Sequence, residues 1–245
     1  RKHILVVGTV RDVEKSIKED VRSVTRALAS FKSIGWLIVE SDSTDGTLGH
    51  LEALAGERGN FRFISLGNLE QRLPKRTARL AHCRNRYRRD ILFNPRYWKY
   101  SYIAVADLDG VNRGLTQTGI SSLNSKTKWD ACFANQPEHY YDVYALRHDD
   151  WNNTDSRWSQ EFFQRLGLTE EQSLYRAVES KMIHIPSQSN WIRVKSAFGG
   201  FGVYRRYLFF LGNYSGTQNG RSVCGHVPFH QRLFRLRRRL FINPG

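Results

Sequence analysis

Short apolar runs alternate with helix-like patterns in the first hundred residues of the chain. Residues 4–7 form an apolar run, and apolar side chains then recur every three or four positions at Ile17, Val21, Val24 and Leu28. A continuous apolar run of this length is typical of a buried strand, and the recurrence is typical of an amphipathic helix. The chain is therefore predicted to begin with a strand, a loop and a helix.

The same alternation continues to residue 106. The predicted elements are, in order, a strand at 36–40, a helix through 48–54, a strand at 61–66, a helix at 76–92 and a strand at 102–106. Strands that alternate with helices in this way form a parallel sheet with right-handed crossovers. The predicted fold class is therefore α/β, with a Rossmann-like mixed, mostly parallel sheet flanked by helices.

The pattern changes after residue 110. Residues 111–245 are irregular, aromatic and rich in glycine, without an internal repeat or a low-complexity linker. A chain of 245 residues with 40% apolar content is long enough to bury one substantial core. We interpret residues 1–245 as a single compact domain, with a regular half at 1–110 and a more variable half at 111–245.

Polar loops follow three of the predicted strands, at residues 8–12, 40–45 and 107–109. In open parallel sheets, ligands bind outside the carboxyl ends of the strands. Asp107 and Asp109 project to the same side of an extended backbone, and a hard divalent cation on a diphosphate needs oxygen ligands of this kind. A solvated Asp-Leu-Asp-Gly turn is the alternative interpretation.

The formal charge of +15 predicts attraction to polyanions. Basic residues concentrate at 75–89 and between Arg232 and Arg239. For the second segment, a peripheral membrane or polyanion contact and a solvated helix face are both open. No apolar stretch approaches the roughly 20 residues that cross a bilayer, and the first residues do not form a signal peptide.

The three cysteines, Cys83, Cys132 and Cys224, are too few and too dispersed for a disulfide framework or a Cys-x-x-Cys zinc pair. They favour a reducing compartment, which is the cytoplasm or the cytoplasmic face of a membrane. The chain begins at Arg1 rather than at a methionine, so an upstream anchor or domain stays open.

The loop Glu-Ser-Asp-Ser-Thr-Asp-Gly-Thr at 40–47, together with Asp107 and Asp109, resembles the nucleotide-sugar half of a GT-A glycosyltransferase. Ala-His-Cys-Arg-Asn-Arg at 81–86 is similar to the segment that precedes the Asp-x-Asp strand in many such enzymes. Segments of the second half are similar to a bacterial, viral and fungal branch that includes capsule mannosyltransferase-like proteins. They lie at 129–132, 140–147, 198–204 and 224–230.

The resemblance implies the GT-A fold and a hexose donor activated by UDP or GDP. It implies Mn²⁺ or Mg²⁺ on the diphosphate and a glycan or glycolipid acceptor, with no nucleic-acid partner. The expected contacts of the nucleotide sugar are Thr9, Arg11, Glu40, Asp42, Arg84, Asp107, Gly199 and Gly200. Among them, Asp42 can accept from a ring N–H or a ribose hydroxyl, and Arg84 offers a planar fork to the diphosphate.

The expected metal ligands are Asp107, Asp109 and His226, with His230 as the substitute if the register differs. In the branch pattern an acidic residue precedes this histidine, whereas Gly225 stands there in this chain. The base that takes the proton of the acceptor hydroxyl is then expected to be Asp142, with Arg147 lining the pocket. Inversion and retention at the sugar both stay open.

Two other functions fit parts of the sequence. Residues 105–111, Val-Ala-Asp-Leu-Asp-Gly-Val, also match the signature of haloacid dehalogenase-type phosphatases, in which Asp107 would be the nucleophile. That motif normally opens its fold, whereas a complete βαβαβ unit precedes it here. The high charge and the aromatic residues between basic ones at 97–100 also fit a non-catalytic module that binds polyanions or glycans.

Overall fold

The computed structural model describes residues 2–126 and 128–245. The elements of the first half are β1 His3–Val10, α1 Ile17–Ala27, β2 Ser33–Glu40, α2 Thr47–Glu57, β3 Phe61–Ser65, α3 Arg76–Phe93 and β4 Tyr102–Ala106. Each of them falls on a predicted strand or helix, so the prediction for this half is confirmed. The four strands pair in parallel in the order β3-β2-β1-β4.

The second half extends the same sheet. Its elements are α4 Gln117–Ser121, β5 Ala131–Ala134, α5 Ser156–Arg165, α6 Glu170–Ala177, β6 Ile192–Arg193, β7 Phe201–Arg205, β8 Thr217–Gln218, β9 Arg221–Ser222, α7 His226–Arg235 and β10 Leu240–Asn243. The strand order becomes β3-β2-β1-β4-β7-β5-β10-β6, with β8 and β9 as a separate hairpin. Because β7 pairs antiparallel with both β4 and β5, one mixed, mostly parallel sheet runs through both halves.

Apolar side chains cover both faces of the sheet. Leu5 and Val7 of β1 belong to a buried cluster that includes Ile91 of α3, whereas Ile4 and Val6 belong to a second cluster that includes the apolar stripe of α1. Successive side chains of a strand point to opposite faces. The continuous apolar run of β1 therefore reflects a strand that is buried on both sides.

The basic segment from Arg232 to Arg239 spans the end of α7 and the turn into β10. Arg235 and Arg237 are exposed, whereas Arg239 forms an ion pair with Asp130, with Nε 3.2 Å from Oδ2. Among the helices of the described residues, none combines the length and the apolar content that crossing a lipid bilayer requires.

Candidate active site

A cleft of about 470 Å³ opens at the carboxyl ends of β1, β2 and β4. Eight of the twelve predicted site residues line it: Thr9, Arg11, Asp42, Arg84, Asp107, Asp109, Asp142 and His226. The other four, which lie outside its wall, are Glu40, Arg147, Gly199 and Gly200. The loops that follow three strands thus meet at one cleft, and the second half of the chain completes it.

Backbone hydrogen bonds hold Asp107 at the end of β4. The Asp107 N–H donates to the Gly200 carbonyl at 2.8 Å. The buried side chain of Asn112 donates to the carbonyls of Asp107 at 2.7 Å and Gly200 at 2.9 Å. Within the described residues, the Asp107 carboxylate accepts no hydrogen bond, and it lines the cleft. Asn112, which the sequence analysis missed, ties the two loops together.

Gly199 and Gly200 shape the turn that leads into β7. Their φ angles are +70° and +82°, in the left-handed region that favours glycine. A Cβ atom on Gly199 would collide with the Ala134 carbonyl oxygen, and one on Gly200 would lie 2.9 Å from the Tyr141 hydroxyl. The amide of Gly199 donates to Asp142 at 3.2 Å. This turn therefore positions carboxylates of the cleft.

Helix α1 supports the Asp-x-Asp loop from outside the cleft. Ser16 Oγ donates to the Leu108 carbonyl at 2.8 Å, and the Gly110 N–H donates to Asp20 Oδ2 at 2.9 Å. Asp20 is fully buried, and burial raises the pKa of its carboxyl. A signal for this residue was present in the sequence, because Asp20 lies three positions after Ile17, on the apolar stripe of the helix.

The carboxyl group of Asp107 has a pKa close to neutral pH. Burial raises its pKa to about 7; Arg84 acts to lower it, and the nearby carboxylates of Asp109 and Asp142 act to raise it. A bound cation favours the charged form of a ligand, so metal binding at this residue is linked to loss of a proton.

His226 is the first residue of α7 and contributes a buried imidazole to the cleft. The ring stacks on Phe198 with ring centroids 4.0 Å apart, and neither ring nitrogen has a hydrogen-bond partner among the described residues. Burial, followed by the charge of Arg84, holds its pKa well below the usual value, so the imidazole is neutral. A neutral imidazole is a competent ligand for a metal or acceptor for a hydroxyl.

The side chains of the cleft provide only some of the ligands that were expected for a divalent cation. Within residues 2–126 and 128–245, no three His, Cys, Asp or Glu side chains lie close enough together to hold one ion. The expected trio of Asp107, Asp109 and His226 is therefore not assembled. Mg²⁺ is often bound through one or two carboxylates together with substrate phosphates, and the two aspartates of the cleft suit that arrangement.

Two predicted residues have structural roles instead. The buried Arg147 forms an ion pair with the buried Asp155, its Nη1 donates to backbone carbonyls, and it does not line the cleft. The substitute ligand His230 uses both ring nitrogens, at 3.1 Å from Ser196 Oγ and 2.9 Å from the Tyr204 hydroxyl. Burial lowers the pKa of His230 to about 3.

Asp142 faces the cleft from the second half of the chain. Its Oδ2 accepts from the Gly199 N–H at 3.2 Å and its Oδ1 from the Ala145 N–H at 3.2 Å. Burial raises the pKa of this carboxyl, although both hydrogen bonds act to lower it. A raised pKa brings a carboxylate closer to the range in which it accepts and releases a proton at working pH.

Arg84 places a buried guanidinium in the wall of the cleft. Its Cζ lies 5.9 Å from the centre of the Tyr214 ring, and no carboxylate of the described residues forms an ion pair with it. A Cβ atom at position 225 would lie 3.1 Å from Arg84 Nη1. The missing side chain of Gly225 thus leaves room for the guanidinium. A buried cation without a protein counter-ion is a site for an anionic ligand.

The loop after β2 presents Asp42 to the cleft. Asp42 has a φ of +64°, and its Oδ1 accepts from the Glu70 N–H at 2.8 Å. Its buried Oδ2 lies 3.7 Å from Arg79 Nε and has no hydrogen-bond partner among the described residues. Burial acts to raise the pKa of Asp42, but hydrogen bonds and the charge of Arg79 lower it. Glu40 is buried, and its two carboxylate oxygens accept one hydrogen bond each, from the Ser43 N–H of the loop at 2.9 Å and from the Ser65 hydroxyl at the end of β3 at 2.5 Å. Glu40 therefore braces the loop.

Further residues complete the cleft. Arg76 and Arg79 enter it from α3, and Arg157 from α5, beside Tyr141 and Tyr144. The two arginines of α3 lie within the basic segment 75–89 that the sequence analysis noted, and their spacing of three puts them on one helix face. No sequence pattern pointed to Arg157.

No protein-family model and no curated protein matches the chain. Solved structures do match it. The mannosyltransferase PcManGT from Pyrobaculum calidifontis, in complex with GDP-Man and Mn²⁺, aligns with 99% of this chain at a TM-score of 0.51 and 14% identity. TarS from S. aureus aligns with 99% of this chain at a TM-score of 0.52 and 12% identity. The fold is that of the GT-A glycosyltransferases.

The GT-A fold confirms the predicted fold class. The chain spans 56% of the length of PcManGT and 35% of the length of TarS. At 12 to 14% identity the likeness shows the fold alone. The reaction is therefore inferred from the residues that line the cleft of this GT-A domain.

Proposed function

We propose that the chain is a metal-dependent glycosyltransferase that transfers a hexose from a UDP- or GDP-linked donor to a glycan or glycolipid acceptor. One observation carries the proposal: the carboxylates of Asp107 and Asp109 share a cleft with the buried, unpaired guanidinium of Arg84. A diphosphate with its divalent cation is complementary to both kinds of group. PcManGT, which shares the fold, was solved with GDP-Man and Mn²⁺, and this supports the donor class and the metal.

The loop after β2 is the proposed site for the nucleoside. Asp42 Oδ2 lies 3.7 Å from Arg79 Nε but accepts no hydrogen bond within the described residues, so it is suited to accept from a ring N–H or a ribose hydroxyl. Thr9 and Arg11 line the cleft beside it. Arg11 is exposed and pairs with Asp12 and Glu70, so its contact with the donor requires it to exchange one of these partners.

The chemistry divides between leaving-group stabilisation and proton transfer. Asp107 and Asp109 would hold Mn²⁺ or Mg²⁺, which supplies positive charge to the departing diphosphate. Arg84 stabilises the same developing negative charge from a buried position. The acceptor oxygen bonds to the anomeric carbon as the bond from that carbon to the diphosphate oxygen breaks. In an inverting reaction, Asp142 takes the proton of the acceptor hydroxyl.

The phosphatase alternative is less compatible with the geometry. The phosphatase motif normally opens its fold, whereas Asp107 follows the fourth strand of the chain, after a complete βαβαβ unit. The polyanion-binding alternative gives no role to the carboxylates of Asp107 and Asp109 that line the cleft.

Calorimetric binding of UDP and of GDP, with Mn²⁺ and then with a chelator, tests the proposed function. We expect one nucleotide to bind only when the metal is present. Asp109→Ala should remove that dependence and reduce transfer by at least about 100-fold. Glu57→Gln, at an exposed carboxylate at the end of α2, is the matched control and should change neither.

Binding of neither nucleotide, or full transfer by Asp109→Ala, would overturn the proposal. Covalent phosphate trapped on Asp107 after incubation with a phosphomonoester would establish the phosphatase instead. Salt-sensitive binding of heparin that ignores both nucleotide and metal would establish the polyanion-binding module.

A further inference from the structure

Four large aromatic side chains are exposed in the segments around the end of α3 and after β7. The exposed fractions are 71% for Phe93, 56% for Trp98, 38% for Tyr207 and 55% for Phe210. Tyr207 and Phe210 lie on a short 3₁₀ helix, Arg206–Phe210, that directly follows β7. Isolated exposed aromatic residues are ordinary, whereas a group of them on one surface marks a site of contact.

These segments lie at the end of the sheet opposite the cleft, near the start of β4. Helix α3 begins with Arg76, in the cleft wall, and ends with Phe93. Strand β4 begins at Tyr102 and ends beside the cleft, and Arg205 of the antiparallel β7 pairs with Tyr102. The residues that follow Arg205 therefore lie near the start of β4, at the end of the sheet away from the cleft.

Direct contacts join the segments into one surface. Trp98 Nε1 donates to the Leu92 carbonyl at 3.2 Å, and Arg206 Nη2 donates to the Ile91 carbonyl at 2.8 Å. Arg206 Cζ also lies 5.5 Å from the centre of the Phe210 ring. The end of α3 is thus in contact with both the Trp98 segment and the 3₁₀ helix.

The basic turn after α7 adjoins the same surface. Arg238 Cζ lies 5.7 Å from the centre of the Tyr207 ring, whose hydroxyl donates to Asp130 at 2.7 Å. Asp130 in turn pairs with Arg239. We use the name aromatic–basic surface for the four aromatic side chains together with Arg89, Arg96, Arg206 and Arg238.

The surroundings of this surface are strongly cationic. Segments 86–99, 205–210 and 232–239 contain twelve Lys and Arg residues and a single acidic residue, Asp90. That carboxylate is already paired with Arg86. A surface of this charge attracts an anionic partner over a distance of about 8 to 10 Å at physiological salt.

We propose that the aromatic–basic surface binds the anionic face of a lipid bilayer, with Phe93, Trp98 and Phe210 inserted at the interface. Aromatic rings partition to the headgroup region while neighbouring arginines contact lipid phosphates. Charge complementarity selects an anionic lipid, and the rings stand at helix and turn ends rather than along a groove that would track a nucleic-acid strand. The inference extends the predicted contact at Arg232 to Arg239 and does not depend on the proposed transferase activity.

Vesicle co-sedimentation of the full chain tests the proposal. Vesicles of phosphatidylcholine and phosphatidylserine, three to one, should bind at least about tenfold more tightly than phosphatidylcholine alone, and added salt should weaken the binding. Phe93→Ser combined with Trp98→Ser should reduce binding at least about tenfold. Phe162→Ser is the matched control, because Phe162 is 51% exposed but lies on α5. Both variants should bind nucleotide as the parent does.

Charge reversal provides the second pair of variants. Arg89→Glu combined with Arg96→Glu should reduce anionic vesicle binding at least about tenfold, whereas Arg165→Glu on α5 should leave it unchanged. Equal binding to neutral and anionic vesicles, or equal losses in the test and control variants, would overturn the proposal. Tighter binding to a single-stranded oligonucleotide than to vesicles, lost in the same variants, would assign the surface to nucleic acid.

Discussion

Removing the charge of Asp107 is expected to stabilise the metal-free protein while abolishing its activity. Asp107→Asn keeps the backbone N–H and carbonyl that bond to Gly200 and Asn112. It replaces a carboxylate that, within the described residues, accepts no hydrogen bond. The substitution therefore removes a charge that burial disfavours without breaking a contact that holds the loop.

The size of the effect follows from the pKa. A folded-state pKa of about 7 against an ordinary value of 3.8 is a difference of about 3 pH units, each equivalent to about 1.4 kcal/mol. Below about pH 4 both states are protonated and the penalty is absent. As pH rises towards 7, only the unfolded state ionises and stability is lost. Above pH 7 the folded state carries the whole penalty, at most about 4 kcal/mol.

Urea unfolding in the presence of a chelator, at pH 8 and at pH 5.5, measures this difference. The stabilisation by Asp107→Asn at pH 8 should exceed that at pH 5.5 by about 2 kcal/mol. Glu57→Gln should shift the free energy of unfolding by less than about 0.5 kcal/mol at both pH values. Equal stabilisation at the two pH values, or destabilisation at pH 8, would refute the electrostatic reasoning.

Two further substitutions separate the anion site from the buried scaffold. Gly225→Asp should place a carboxylate beside Arg84 and weaken metal-dependent nucleoside diphosphate binding by about 10- to 100-fold in calorimetry, because the new ion pair competes with the phosphates. Gly225→Ala, which adds no charge, should cause a smaller loss. Arg147→Ala should lower the free energy of unfolding by about 3 to 5 kcal/mol in urea, because Asp155 is left buried without its partner. The folded fraction of that variant should keep the parent's nucleotide affinity.

A specific result would contradict each of these predictions. Undiminished nucleotide binding by Gly225→Asp would mean that the diphosphate does not use Arg84. Unchanged stability of Arg147→Ala together with lost transfer would return this guanidinium to the active site, against its buried ion pair with Asp155.

In the first half of the fold, β1, β2 and β4 could be predicted because strands that are buried on both faces produce continuous apolar runs. The edge strand β3 exposes Arg62 and Ser65, and its run is only partly apolar. The intervening helices each produce an apolar stripe. The second half is built differently. β6, β8 and β9 contain two residues each, and the five residues of β7 are positioned by antiparallel pairing with strands about 70 to 100 positions earlier. Pairing between such distant strands produces no regular spacing of apolar residues within the segment itself.

Residues of the candidate site that directly follow a predicted strand could be found from the sequence. A residue whose role depends on its contact with another side chain could not. Asp42, Asp107 and Asp109 follow predicted strands directly. Arg147 has the same chemistry as a catalytic arginine, and only the contact with Asp155, eight positions later, shows that it is structural. Asp20 illustrates the opposite error, because a charged residue on an apolar helix stripe was passed over although it holds the Asp-x-Asp loop through the Gly110 N–H.

The turn at Gly199 and Gly200 has a consequence for how such a protein can vary. The carbonyl of Gly200 anchors Asp107, and the amide of Gly199 anchors Asp142. One two-residue turn therefore sets the spacing between the proposed metal-binding and proton-accepting carboxylates. Surface loops elsewhere in residues 111–198 can lengthen or shorten between relatives, and reshape that side of the cleft, without altering the spacing of these two carboxylates.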